Sequence, residues 1–186
     1  MRKVSQKLYT YEDYMGLNGQ EQYELLEGEL FVVPSPSVNH QRVVGRLYTI
    51  LNSFVYENGI GEVFTAPTDV VFDNHNILQP DILYITKERL SIIKKLNIQG
   101  APDLVVEVLS PSTIKRDRFD KRRLYFAHGV REYWIVDPDN RLIETFTQGD
   151  SDLQKAGVFS EETLLTSTLF PGLQLELTKI FEIITP

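Results

Sequence analysis

Short runs of alternating apolar and polar positions fill most of this chain, broken by one long stretch with helical spacing. Thr10 ahead of Glu12 and Asp13 predicts a helix start, a capping hydroxyl with acidic residues in the positively polarised first turn, and the helix ends near Gly16. Tyr23 to Val33 predicts two strands turning at Glu27-Gly28, and Pro34 and Pro36 end the second. From Val38 to Tyr56 apolar residues including Val43, Leu47, Leu51 and Val55 recur at the period of a helix, which Asn58-Gly59 closes. Strands follow at Glu62–Thr65 and Asp69–Phe72, with a turn at Asp73-Asn74. Another opens after Gln79-Pro80 and runs from Asp81 to Ile85. A helix is expected around Lys87 to Lys95, then a strong strand over Asp103–Leu109. Ser110 to Thr113 opens a basic helix that ends at His128-Gly129. Strands at Glu132–Val136 and Leu142–Phe146 flank the turn Asp137–Asn140, and the C-terminal part predicts further short strands and a last helix near Thr178. This mixed order predicts an α/β fold, a mixed central sheet with helices on its faces.

The 186 residues carry no internal repeat and no linker-like tract, so a single domain over 1–186 is expected, with its core at about 20–147. At 42% hydrophobic and 24% charged residues the composition is that of a folded chain, which excludes a disordered or collagen-like one. The count of cysteines is 0, which excludes disulfides, thiolate zinc sites and cysteine nucleophiles. The basic start runs directly into polar residues, unlike a signal peptide, and no apolar run approaches the roughly 20 residues that span a bilayer. A cytoplasmic protein without membrane contact is the expectation. Net charge is −7, unevenly spread. Between Thr113 and His128 six basic residues (Lys115, Arg116, Arg118, Lys121, Arg122, Arg123) face two acidic ones (Asp117, Asp120), which gives that segment +4 and leaves −11 elsewhere.

Two residues break the local pattern. Glu107 sits within an otherwise apolar strand, where a carboxylate needs a partner, and Asp81 opens another apolar strand directly after a proline. Carboxylates on neighbouring strands can converge on one point, where they repel unless a proton, a base or a cation compensates. Without cysteine, such an oxygen-rich site suits Mg2+ or Mn2+. The alternatives are a half-exposed Glu107 paired with arginine and an Asp81 that merely turns the chain. On the following helix Asp117, Lys121, Tyr125 and His128 share a stripe, with Arg118 and Arg122 alongside. That stripe brings Lys121 toward the carboxylates, or else Asp117 and Lys121 form an ordinary exposed pair.

Several blocks taken together carry a resemblance. Tyr23-Glu24-Leu25-Leu26-Glu27-Gly28-Glu29, Ser35-Pro36 with His40, Gln79-Pro80-Asp81, the run from Ala101 to Thr113, Arg116-Asp117 through Lys121 and Tyr125, and Gly129 to Pro138 resemble the Uma-two family of restriction-endonuclease-like proteins, over about Tyr9 to Phe146. The family is similar to the PD-(D/E)XK nuclease superfamily. The resemblance implies a four-stranded mixed core sheet flanked by helices, with additional N- and C-terminal strands. It places Asp81 as the motif's aspartate and Glu107 as its second acidic residue. The motif's lysine is expected at position 109, where this chain has Leu109, and the resemblance implies that Lys121 supplies the ammonium instead. Glu24 matches an additional acidic position, and His40 a position with no assigned role.

The function these residues imply is metal-dependent hydrolysis of phosphodiester bonds, with DNA the expected substrate. Asp81 and Glu107 would hold Mg2+ or Mn2+, and Lys121 would orient water or offset developing charge. Lys115, Arg116, Arg118, Arg122 and Arg123 would meet backbone phosphates. The excess of negative charge elsewhere opposes long-range attraction to DNA, which a homodimer pairing two basic helices would ease. Two other readings remain: a non-catalytic nucleic-acid-binding or assembly module on a nuclease fold, and a hydrolase of a smaller phosphodiester.

Overall fold

Turn chemistry sets the first hairpin. In the computed structural model, which describes residues 7–17 and 21–183, Glu27 and Gly28 both take positive φ, 51° and 77°. This is the mirror-image two-residue turn whose twist matches antiparallel strands. It joins β1 (Gln22–Leu26) to β2 (Glu29–Val33), with Glu24 directly opposite Phe31. A short helix α1 (Tyr11–Met15), with Thr10 and Asp13 in a reciprocal capping box, precedes them. Pro34 and Pro36 lack the N–H that would continue the ladder, and Ser37 then caps the long helix α2 (Val38–Asn58), its side chain accepting the His40 N–H at 3.1 Å. Gly59, at φ 60°, ends that helix in the left-handed conformation.

Helix α2 packs its stripe of Val43, Val44, Leu47, Leu51 and Val55 against one face of a six-stranded sheet. The strands are β3 (Gly61–Thr65), β6 (Ile82–Thr86), β8 (Leu104–Val108), β9 (Glu132–Asp137), β10 (Leu142–Gln148) and β11 (Leu153–Phe159), and the order across the sheet is β11-β10-β9-β8-β6-β3. The pair β8–β9 is parallel and its neighbours are antiparallel. Strands β3, β6, β8 and β9 form the expected four-stranded mixed core, and β10 and β11 extend it past β9 to six. A second sheet, in the order β2-β1-β5-β4-β7, adds β4 (Val70–Asp73), β5 (Asn76–Leu78) and β7 (Ile98–Gln99) to the hairpin. Strands of three and two residues are too short to show a period, so neither β5 nor β7 is expected from sequence. At the C-terminal end β12 (Leu164–Leu165) pairs with β13 (Leu175–Glu176), and α4 (Leu177–Phe181) closes over α2.

Period-two alternation decides which way the functional side chains face. Leu104, Val106 and Val108 of β8 join the core under α2, whereas Val105 and Leu109 join a second core with Leu26, Tyr125 and Tyr133 on the opposite face. Glu107 therefore belongs to that second face. Two connections differ from expectation. The segment after β6 is a 3-10 helix over Lys87–Ile92, after which Ile93 bridges to Ile98. The crossover between parallel β8 and β9 is a π-helical turn (Arg116–Lys121) followed by α3 (Arg122–Ala127), where one regular helix is expected. Among the described residues no helix is long and apolar enough to cross a membrane.

Candidate active site

The site begins where the β6–β8 ladder stops. Ile82 pairs with Val106, so one further step of the same register sets Asp81 opposite Glu107. Pro80 and the turn before it take Asp81 out of the ladder, and its side chain replaces the missing backbone acceptor: Asp81 Oδ2 accepts the Val108 N–H at 2.7 Å. His40, in the first turn of α2, lies with Nε2 3.2 Å from the same oxygen. From the crossover Lys121 reaches in and donates to Glu107 Oε1 and Glu24 Oε1, both at 2.9 Å, with Asp117 Oδ1 at 3.6 Å. Tyr125 O–H donates to the same Glu107 oxygen at 2.6 Å, and the Gln79 backbone N–H to Glu24 Oε1 at 3.0 Å. Hence Asp81, Glu107, Lys121, Glu24 and His40, singled out from sequence, meet in one place.

Lys121 is only 4% exposed, which overturns the reading of Asp117 and Lys121 as a solvated surface pair. The shared stripe holds for Asp117, Lys121 and Tyr125 but not for His128, which turns outward to Asp73 at 3.0 Å. Leu109 is packed into the apolar core beside Tyr125, so a lysine there would be pointed into hydrocarbon. Lys121 brings the ammonium from the helix instead. Asp117, Tyr125 and the Gln79 amide are parts of the site that sequence alone did not assign. The one available signal was the stripe itself.

Three carboxylates (Glu24, Glu107, Asp117) surround one ammonium, and the Asp81 charge acts on the same Glu107. Burial pushes Glu107 well above the ordinary carboxylate range; Lys121 opposes this, and Asp117, Asp81 and Glu24 add to it. Burial raises Asp117 as well, against Lys121 and the Thr113 hydroxyl. For Lys121 burial alone would lower the pKa, but the charges of Glu107, Glu24 and Asp117 more than offset it and hold the ammonium protonated. Burial and the adjacent Glu107 raise Tyr125 well above its usual value, so it stays a donor. His40 is likewise raised, burial opposing and Asp81 prevailing.

Among the described residues no three Asp, Glu or His side chains stand together as a ready-made ion cage. The donor set nevertheless fits a hard divalent ion. The protein partners of Asp81 and Glu107 all sit on one oxygen of each, Oδ2 and Oε1, and among the described residues none is on the other. Mg2+ commonly takes one or two carboxylates and completes its shell with water and substrate phosphate. The local excess of negative charge also favours a cation.

Most of the basic residues on the crossover are engaged within the fold. Arg118 pairs with Glu144 and lies 3.9 Å from Asp137, Arg122 pairs with Asp152 at 2.7 Å, and Arg123 with Glu27 at 2.6 Å. Arg116 stacks on the Phe31 ring, 3.9 Å from its centroid, and Lys115 is exposed.

This helix-flanked mixed sheet is the architecture of a nuclease-like α/β protein. The chain belongs to the Uma-two family, whose model, described as "Putative restriction endonuclease", matches residues 7–178. It is similar to two proteins of Synechocystis: "Uncharacterized protein slr1290", 29% identical over 70% of this chain and 68% of that one, and "Uncharacterized protein sll1609", 24% identical over 91% and 93%. Its fold is that of the crystal structure of "a putative nuclease belonging to DUF820" from Anabaena variabilis, with a TM-score of 0.77 and 22% identity, covering 92% of this chain and 97% of the other.

Proposed function

We propose that this chain is a Mg2+- or Mn2+-dependent nuclease that hydrolyses phosphodiester bonds, with DNA as substrate. The observation that supports this best is the placement of Lys121 Nζ 2.9 Å from Glu107, the role that position 109 leaves open. Asp81 and Glu107 would hold the ion through their unoccupied oxygens. When bound, the ion lowers the pKa of coordinated water and offsets phosphoryl charge. The chain's own groups prepare that site. Tyr125 and Lys121 fix the orientation of Glu107, and Val108 N–H and His40 fix that of Asp81. Glu24, itself held by the Gln79 amide, keeps Lys121 extended toward the reaction centre. There the ammonium offsets charge that develops on the phosphorus oxygens.

Of the alternative, a non-catalytic nucleic-acid-binding or assembly module on a nuclease fold, one observation favours the assembly module. The arginines at 118, 122 and 123 spend their charge on internal carboxylates rather than on a ligand. A cleavage assay separates the two. Single- and double-stranded DNA and RNA are incubated with the protein in Mg2+, Mn2+ or EDTA, alongside Asp81→Asn, Glu107→Gln and Lys121→Met. The nuclease reading expects divalent-dependent cleavage that falls roughly 100-fold or more in each variant. Cleavage that survives Asp81→Asn and Glu107→Gln at the full rate removes it.

A further inference from the structure

We infer that the mouth of the carboxylate site receives an unpaired nucleic-acid strand, with the Phe31 ring as the platform on which a base stacks and Arg116 and Lys115 as the contacts to its phosphates. The inference deepens the nuclease reading and rests on it for the position of the scissile bond.

Three features lead there. The first is depth. The side chains of Glu107 and Lys121 are each 5% exposed, and that of Asp81 only 18%. A duplex carries its phosphates on the outside of a wide cylinder, whereas a single strand is thin enough to bring one phosphate down to recessed groups, as enzymes do that act on unpaired or extruded nucleotides.

The second is the position of Phe31. It lies directly across the β1–β2 ladder from Glu24, which bonds Lys121. Residues opposite one another on a ladder share a face, with Cβ atoms about 5 Å apart. Strand β2 is the terminal strand of its sheet, so the ring stands half-buried at an open edge beside the site. The ring packs in part against the second core and also meets the Arg116 guanidinium, 3.9 Å from its centroid; Arg116 immediately precedes Asp117, whose carboxylate is part of the buried cluster. Ring, guanidinium and site are thereby contiguous. An arriving phosphate can draw the guanidinium from the ring and leave the ring to a base.

The third is the allocation of charge. Arg118, Arg122 and Arg123 are held by Glu144, Asp152 and Glu27, whereas among the described residues Arg116 and Lys115 have no carboxylate partner. Two cations and one aromatic ring make a poor duplex-binding surface on a chain of net charge −7. They suit a short single-strand contact instead, in which a base stacks on the ring while the two cations meet its phosphates.

Fluorescence anisotropy in EDTA, where binding is read without divalent-dependent cleavage, tests this with a labelled oligothymidylate of about 15 nucleotides and a duplex of equal length. Phe31→Leu keeps the apolar contact with the core and removes the ring, Phe31→Trp keeps a ring, and Arg141→Ala, on a residue paired with Glu161, controls for net charge. The expected result is preference for the single strand, weakened roughly tenfold by Phe31→Leu, retained by Phe31→Trp and unchanged by Arg141→Ala. Arg116→Ala should weaken binding and lower the salt slope by about 0.7, the share of one phosphate. Equal binding by wild type and Phe31→Leu, preference for the duplex, or no binding of the single strand would overturn the inference. Parallel cleavage in Mg2+ keeps the two readings apart. Cleavage with Phe31-independent binding sinks only the platform, whereas Phe31-dependent binding without cleavage retains the platform and sinks the nuclease.

Discussion

Glu107 and Lys121 occupy the same buried cluster, but their charges work on stability in opposite directions. Because burial and three neighbouring carboxylates hold the folded pKa of Glu107 above its unfolded value of 4.5, the folded chain binds that proton more tightly. Stability therefore falls as pH rises from 4.5 through the folded pKa, and the ionised carboxylate remains a cost above it. Glu107→Gln keeps the oxygen that accepts from Tyr125 and Lys121 and removes the charge. It is expected to be about 1 kcal/mol more stable than wild type at pH 8 and equal to it near pH 4, while losing activity. Lys121 behaves in the reverse sense. Its raised pKa means that its contribution is present in full below 10.5 and is lost as pH rises through the folded value. Lys121→Met leaves Glu107, Glu24 and Asp117 without a counter-charge and should cost about 3–5 kcal/mol at pH 8, less at pH 4 where carboxylates gain protons. Urea denaturation of the three proteins at both pH values measures this, and a destabilised Glu107→Gln at pH 8 would contradict it. Asp81 and Glu107 were legible in sequence because each violates an apolar pattern. Lys121 was ambiguous, since the same spacing from Asp117 describes a surface pair equally well. Only the packing of α3 against β8 and β9 decides between them. Glu24 was marked by resemblance alone, because a glutamate in a hairpin strand breaks no rule.

At the level of elements, period and caps located α2 and five of the six core strands, since a 21-residue amphipathic run and buried strands of five to seven residues repeat their pattern several times, whereas the mostly exposed β11 was expected only as one of several short C-terminal strands. The π-helical turn could not be found this way. Its wider turn holds Asp117 and Lys121 inward together, with Asp117 N–H bonded to the Thr113 carbonyl and Tyr133 O–H to the Asp117 carbonyl at 3.0 Å. The first is an ordinary helical bond, and the second is a tertiary consequence that no local pattern reveals. Another buried carboxylate, Glu132 at the start of β9, also went unmarked, because it opens its strand where polar residues are ordinary. It accepts from Trp134 Nε1, Ser167 Oγ, the Thr168 N–H and hydroxyl, and the Leu169 N–H. This clasp fastens the segment before β13 to the sheet and seats Phe170 against Trp134 and Tyr84. Glu132→Ala strands several buried donors and should cost about 3 kcal/mol or more, with Glu132→Gln costing less because one acceptor oxygen remains. Chemical denaturation checks the order of the two. A Glu132→Ala protein as stable as wild type would show that the clasp contributes nothing.

For the molecule as a whole, net charge and segment charge were readable from composition, but their use was not. The basic crossover looks like a nucleic-acid surface in sequence, and in three dimensions most of it neutralises acids of the hairpin, β10 and the β10–β11 turn. The charge left unbalanced is instead the negative cluster at the site, which gives a whole-molecule consequence. An ion that binds only the folded chain stabilises it by mass action, about 2.7 kcal/mol at a concentration 100 times its Kd, or about 5–10 °C in Tm for a chain of this length. Mg2+ and Mn2+ should therefore raise the melting temperature of the wild type, and Asp81→Asn and Glu107→Gln should abolish the rise. Glu132→Gln, far from the ligand oxygens in role, should melt earlier in buffer yet keep the full metal increment. Because the ion and the proton compete for Glu107, whose folded pKa is raised, the increment should grow as pH is taken from 5 to 8. A wild type insensitive to both ions, or an increment that Glu107→Gln retains, would leave the four carboxylates as an electrostatic burden with no ligand to relieve it, and the binding module would then be the better account of this fold.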